Sequence, residues 1–426
     1  MNAKSSHRAG SSRSRQFRDS LNWDATRWKG NLLERPAARR SVWRVLAAAG
    51  ILVAGLTWVT VLFAFSLTDR NIAGRDYTQY WAAGRQVDRG LNPYDEAAVL
   101  KLEQSLAPGR TQAEFSLSPP LVLLLAASLG LFSAKAGLIF FFALLFASLS
   151  CSLWLIWNLH GRPNTLLYLF GFAFAPVLSC LQGGQLSILF LLCILLFLYL
   201  RAFHPWLAGA FLAPLLLKPH LFLPFGAALL VWTISRGAYR ILGGFAVALG
   251  ASLGGVYWLA PHAWPQYLQM MREQNVIVYF VPTLSNALQR LISVSSTWLR
   301  FVPDAAACVW AVWYFRSRRD RWNWMDQGMV LLLVSFLCAP YAFFFDESVL
   351  LPAVLTGLLR ARQAGRSAWP IWCAGAAALI ECVAKIPVTS TFYLWTVPAW
   401  FLWYLYATWT PQPTTTPTAD LTEPAA

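Results

Sequence analysis

Charge is scarce in this sequence, and negative charge scarcer still. Of 426 residues only 12% are charged, with 19 Asp and Glu against 34 Lys and Arg. A soluble domain carries about 25% charged residues, so an ordinary water-facing surface is excluded. The seven cysteines (Cys151, Cys180, Cys193, Cys308, Cys338, Cys373 and Cys382) contain no CxxC pair, and the five histidines are scattered. Neither a zinc site nor a disulfide framework is indicated, and no metal or cofactor is expected. No short apolar h-region with a small-residue cleavage site follows the polar first forty residues, so a cleaved signal peptide is not indicated. No inverted repeat of the transporter kind is evident.

What is abundant is apolar chain. The sequence is 57% hydrophobic with mean hydropathy +0.49, and apolar runs recur from Val45 to Trp409. The expected fold is an all-α polytopic membrane protein. The 22 tryptophans and 14 tyrosines fit that class, because amphipathic rings collect at membrane interfaces. Candidate spans fall at 45–67, 117–132, 135–157, 164–180, 185–201, 205–217, 219–235, 238–260, 298–315, 325–345, 346–360, 368–388 and 391–410. Thirteen crossings conflict with the charge pattern, so about twelve are expected, with a re-entrant or broken segment in the weak zone 181–235.

The net charge of +15 is concentrated in a basic arm, 1–44, and in short clusters near Arg236, Arg316 and Arg360. Basic short loops mark the cytoplasmic side, so topology rather than nucleic-acid binding accounts for the charge. The loop 68–116 is instead acid-rich and is expected outside, as is a second amphipathic stretch within 261–297. The domain proper is 45–410. The Pro/Thr-rich tail 411–426 reads as disordered and cytoplasmic.

Within the first loop, Tyr77, Tyr80, Trp81, Gly84, Val87 and Leu91 follow helical spacing, which predicts an amphipathic helix suited to a bilayer surface. Gly90-Leu91-Asn92-Pro93 supplies its stop. Asp76 and Gln79 form a capping-box pattern, so Asp76 is either an N-cap or, at an aqueous interface, a general base. Asp88 beside Arg85 and Arg89 reads as a solvated face. Asn92 to Asp95 reads as a turn, with Asp95 capping a helix over 95–106.

Further along, Lys218-Pro219-His220 interrupts an apolar run. A lysine there either snorkels to an interface or serves as a cation for a phosphate. Gln182-Gly183-Gly184-Gln185 opens another span or forms a plain turn. In the run from Cys338 to Glu347, Asp346 is either an N-cap or, with Tyr341, faces the same outer cavity as Asp76. Glu381 and Lys385 suit a helical ion pair.

The motif Asp76-Tyr77-x-x-Tyr80-Trp81-x-Ala83-Gly84-Arg85, followed by Gly90-x-Asn92-Pro93-Tyr94-Asp95, resembles the first-loop signature of glycosyltransferase family 87. Gly184-Gln185, Lys218-Pro219 and Pro340-Tyr341…Asp346 resemble its later motifs in order, and the likeness spans about 45–405. The resemblance implies a GT-C-like bundle of about twelve transmembrane helices with amphipathic helices in its outer loops. It implies inverting transfer of a hexosyl group, mannose-like, from a polyprenyl-phosphate-linked sugar donor to an envelope lipid or glycan acceptor. The place would be the periplasmic face of the cytoplasmic (inner) membrane, with the lipid bilayer as surroundings and no nucleic acid as partner. Carried onto this chain, Asp76 becomes the catalytic base, and Lys218, His220 and Arg85 the donor-phosphate ligands. Tyr80, Trp81, Gln185, Tyr341 and Asp346 become substrate-positioning residues. Mycobacterial mannosyltransferases of the family carry a histidine near the late motif, and here that region reads PYAFFFDE without one. A transporter or flippase of a lipid-linked or polar solute is the rival class. It would place ionisable residues deep in several spans rather than gather its acids in one loop.

Overall fold

Backbone N–H and C=O groups in so apolar a chain are satisfied within helices or within closed barrels, and this chain takes the helical route. The structure, a computed structural model, describes residues 67–114, 116–273, 280–384 and 390–409. Among them the regular structure is all α-helix and 3-10 turn, without strands. The basic arm, all but the end of the first candidate span, Lys385 of the expected ion pair and the tail 411–426 lie outside the described residues.

The first loop folds into α1 (Asp69–Ala73), α2 (Tyr77–Asp88) and α3 (Glu96–Gln104). The expected stop holds, with Gly90 at φ +66. The Asn92 side chain accepts from the Tyr94 amide at 2.9 Å, closing the expected turn, and Asp95 caps α3 through the Ala98 amide at 3.0 Å. Then follow α4 (Leu123–Gly130), α5 (Ala134–Leu159), α6 (Phe170–Ala173), α7 (Ala175–Gly183), α8 (Ser187–Leu200), α9 (Pro205–Ala210), α10 (Leu223–Ser235) and α11 (Tyr239–Leu259). The second amphipathic stretch forms α12 (Ala263–Glu273) and α13 (Leu284–Ile292). Last come α14 (Val302–Arg318), α15 (Gln327–Cys338), α16 (Leu351–Gln363), α17 (Trp369–Ala384) and α18 (Thr396–Thr408).

Among the described residues only α5, with 26 residues, and α11, with 21, are long and apolar enough to cross a bilayer alone. At 1.5 Å per residue they reach about 39 and 31 Å, against a hydrocarbon core of about 30 Å. Helix length therefore does not meet the sequence count of about twelve crossings. The reason is visible in the breaks. The expected span 164–180 is split at Phe174, whose backbone is extended just before Pro176. The run 205–221 is a six-residue helix followed by 3-10 turns over Ala213–Leu217 and Pro219–Leu221. The expected span 325–345 ends as a helix at Cys338, and a 3-10 turn over Phe344–Leu350 leads into α16.

The first-loop helix lies deeper than a surface position. Tyr77, Tyr80, Trp81, Gly84 and Val87 of its predicted face are buried, but so are Thr78 and Gln86, and Leu91 is exposed. Small residues allow this docking. A Cβ on Gly84 would overlap the Ala126 carbonyl of α4, and one on Gly130 would overlap the Gly84 backbone. The same device joins α9 to α11, where Gly209 meets the Ile241 carbonyl and Gly244 the Trp206 carbonyl. Farther along, Trp324 gathers Phe197, Phe225, Trp232 and Trp322 around itself with ring centroids 5.4 to 5.5 Å away.

These contacts predict a contrast between glycines. Gly84→Ala should lower stability by about 1–3 kcal/mol through overpacking. Gly254→Ala in α11, where a Cβ would meet nothing within 4 Å, should be neutral or stabilising by up to about 1 kcal/mol. Thermal unfolding of the two variants in detergent micelles checks it, and equal midpoints would contradict the contact.

Candidate functional site

Asp76 stands immediately before α2 with φ −61 and ψ −19, and its side chain makes no capping bond to the helix. The capping-box reading therefore fails here. Asp76 Oδ2 instead accepts a hydrogen bond from Gln185 Nε2, more than a hundred residues away.

Gln185 is delivered by a glycine turn. Gly184 ends α7 in the left-handed region, φ +67, where a side chain is strained. A Cβ there would also lie 2.7 Å from Tyr77 Cβ, so the turn abuts the start of α2. A second clip runs from Arg75 Nη1 to the Gln182 carbonyl. The Gln185 amide oxygen accepts from the Tyr80 hydroxyl at 3.3 Å. Tyr80 thereby fixes which end of the amide faces Asp76, and Tyr80, Gln185 and Asp76 form one chain. Burial pushes the Asp76 carboxyl above its ordinary range. The Gln185 bond and the charges of Lys218 and Arg110 oppose that rise, and Asp346 adds to it.

The other half of the site centres on Asp346, which is fully buried. Its Oδ1 accepts from Lys218 Nζ at 2.7 Å and from Ser187 Oγ at 2.6 Å. Its Oδ2 accepts from the Phe343 amide at 3.0 Å. Asp346 thus caps the start of its 3-10 turn and holds an ion pair at once. Lys218 sits between two 3-10 turns, its ammonium 4.9 Å from the centroid of the Phe345 ring. Two residues on, the His220 ring meets Tyr341 edge to face at 5.8 Å, and His220 Nε2 is buried without a hydrogen-bond partner among the described residues.

The expected residues therefore divide. Asp76, Tyr80 and Gln185 are linked directly, Lys218 is bonded to Asp346, and His220, two residues after Lys218, packs against Tyr341. Lys218 and Asp346 in turn act electrostatically on Asp76. Trp81 and Arg85 lie elsewhere. The Trp81 indole donates to the Phe132 carbonyl at 3.1 Å, and the Arg85 guanidinium lies 5.9 Å from the Trp81 ring. Nine residues along a helix place Arg85 about 13 Å from Asp76 on the axis, on the opposite face. Ser187 and Arg75 escaped the sequence reading. Serine at a helix start is a common neutral signal, and a partner that is a main-chain carbonyl leaves no trace in sequence.

The arrangement offers a carboxylate at the rim of an apolar body, oriented by an amide, with an ammonium nearby. Such a pair can accept a proton and stabilise an anion. Among the described residues no cluster of three or more His, Cys, Asp or Glu side chains could hold a metal.

The family profile of glycosyltransferase family 87 matches residues 117–340, just over half of the chain. The match takes in Gln185, Ser187 and Lys218. It begins after Asp76 and ends before Tyr341 and Asp346. No curated protein and no solved structure matches the chain.

The ion pair makes a stability prediction. Asp346→Ala leaves the Lys218 ammonium, whose side chain is only 12% exposed, without its carboxylate, a change that costs about 3–5 kcal/mol. The double variant Asp346→Ala, Lys218→Met should recover much of that loss. Unfolding midpoints of the two singles and the double measure it, and simple additivity would contradict a direct pair.

Proposed function

The chain belongs to glycosyltransferase family 87, and on that premise we propose that it transfers a hexosyl group, mannose-like, from a polyprenyl-phosphate sugar to an envelope lipid or glycan. Asp76 acts as the base. Transfer inverts the anomeric centre and takes place at the outer face of the cytoplasmic membrane. The domain 45–410 is a GT-C-like bundle of about twelve crossings, with 68–116 and 261–297 outside. Two membrane-length helices, the broken apolar segments and the basic arm support this placement.

The observation that carries the proposal is the liberty of the Asp76 carboxylate. It makes no capping bond, and Gln185 occupies only Oδ2. Oδ1 is left to take the proton of an acceptor hydroxyl as that oxygen attacks the anomeric carbon. The bond from carbon to phosphate oxygen breaks on the opposite side, and the polyprenyl phosphate leaves with the electron pair. An ammonium has three N–H donors. One of those of Lys218 is on Asp346, so others can meet the phosphate oxygens, with His220 alongside. Tyr80 and Gln185 orient the base, and Tyr341 borders the sugar. An apolar cavity of about 220 Å³ begins at Pro219, the residue after Lys218, and runs between α10 and α11 past Phe222, Leu229 and Phe245. An apolar cavity lined by the residue next to a lysine suits a lipid phosphate, with the chain in the cavity and the charge on Lys218.

The test is transfer by purified protein in liposomes, with a panel of polyprenyl-phosphate hexoses and envelope-lipid acceptors. Wild type should release polyprenyl phosphate. Asp76→Asn should bind donor but lose about 10²–10⁴-fold in rate, and a rate near wild type would return Asp76 to a purely structural role. Lys218→Ala should chiefly raise KM for the donor.

The pH profile supplies an independent check. The base works ionised, so activity falls as pH drops through the Asp76 pKa. The Gln185 bond lowers that pKa. Gln185→Leu should therefore move the acidic limb of the rate profile to higher pH, and a limb that stays in place would contradict the orientation chain.

A further inference from the structure

Helix α13 is built inside out. Its polar residues Ser285, Asn286 and Gln289 are buried, while Leu284, Leu288, Leu291 and Ile292 form one exposed stripe, with Leu291 84% and Ile292 60% exposed. The buried polar face is well bonded. Ser285 Oγ donates to the Cys338 carbonyl at 2.7 Å, and Asn286 Nδ2 to the Val281 carbonyl at 2.8 Å. Buried Arg300 donates to Gln289 Oε1 at 2.8 Å and to Asn286 Oδ1 at 2.7 Å. A helix that turns a bonded polar face inward and a leucine stripe outward matches surroundings less polar than its own packing surface.

The neighbourhood specifies those surroundings. From Leu284 to Val302 there is no acid, and the exposed Arg290, about 100° around the helix from Leu291, packs 5.0 Å from the Phe280 ring. Val294, Trp298 and Phe301 extend the exposed apolar surface beyond the helix end. Leucines flanked by an exposed arginine and a tryptophan, with no negative charge, complement the boundary between acyl chains and anionic phospholipid headgroups.

We infer that α13 lies in the plane of a phospholipid monolayer, its leucine stripe in the acyl region and Arg290 at the phosphates. The inference rests on the membrane placement proposed above but not on the transfer reaction. It gives the helix a task, because Ser285 ties it to the last residue of α15. From there the chain runs through Tyr341 to Asp346. The membrane surface thereby becomes one of the supports of the site loop.

Spin-label accessibility tests this. Leu291→Cys, Phe140→Cys on the exposed face of α5 and Glu96→Cys at the exposed start of α3 are each labelled with a nitroxide in a Cys373→Ala background. The proteins are reconstituted into phosphatidylethanolamine–phosphatidylglycerol liposomes. Label at 291 should be relaxed strongly by oxygen and weakly by a water-soluble nickel chelate, as at 140 and opposite to 96. If 140 is lipid-exposed but 291 is open to the chelate, α13 faces water and the inference falls alone. If 291 is shielded from both agents, a protein surface covers the stripe, which also overturns it. If 140 itself is water-exposed, the membrane placement fails with it.

Discussion

The structure turns on one buried carboxylate. Removing an ion from water costs several kcal/mol, and the cost is offset only when its oxygens are fully satisfied at good geometry. Asp346 meets that condition with Lys218, Ser187 and the Phe343 amide, drawn from separate parts of the chain. Each partner is delivered by an interruption in an apolar run. Ser187 follows the glycine turn between α7 and α8, Lys218 lies between two 3-10 turns, and Phe343 follows the end of α15. The breaks that shorten the helices are thus the places where polar atoms are concentrated. The same glycine turn presents Gln185 to Asp76, so the two halves of the site share one hinge of backbone.

Much of the local structure was legible in the sequence. Apolar period and stop residues gave helices close to where they stand, and the short-range signals at Gly90, Asn92 and Asp95 worked because their partners are two or three residues away. Asp76 shows the opposite case. Its capping pattern is sound by local rules, yet Gln185 holds the carboxylate, and nothing near Asp76 announces Gln185. Lys218 stood out as a cation in an apolar run, while the ion pair that accommodates it depends on Asp346, 128 residues later. Hydropathy located the apolar runs but not their breaks, because it sums over residues, whereas a single extended residue such as Phe174 divides a run into two helices. Amphipathicity located α13 but not which side it turns inward, since the buried Arg300 that receives its polar face lies in the next turn.

The two halves differ in how they are fastened. Asp76 rides on α2, which is pressed backbone to backbone against α4 at Gly84 and Gly130 and clipped to α7 through Arg75. Lys218, His220 and Tyr341 ride on short turns joined by side-chain contacts. In the proposed reaction, proton transfer demands a fixed carboxylate, whereas a lipid phosphate with its sugar needs a seat that adjusts.

The glycine contact between α2 and α4 has an evolutionary consequence. With no side chain between the two backbones, almost any replacement at Gly84 or Gly130 displaces the helix next to Asp76, so that half of the candidate site is closed to experiment by mutation. The turns around Lys218 and Tyr341 carry no such prohibition. Diversification toward new sugars and acceptors would accumulate on that side, each variant inheriting the same carboxylate in the same place.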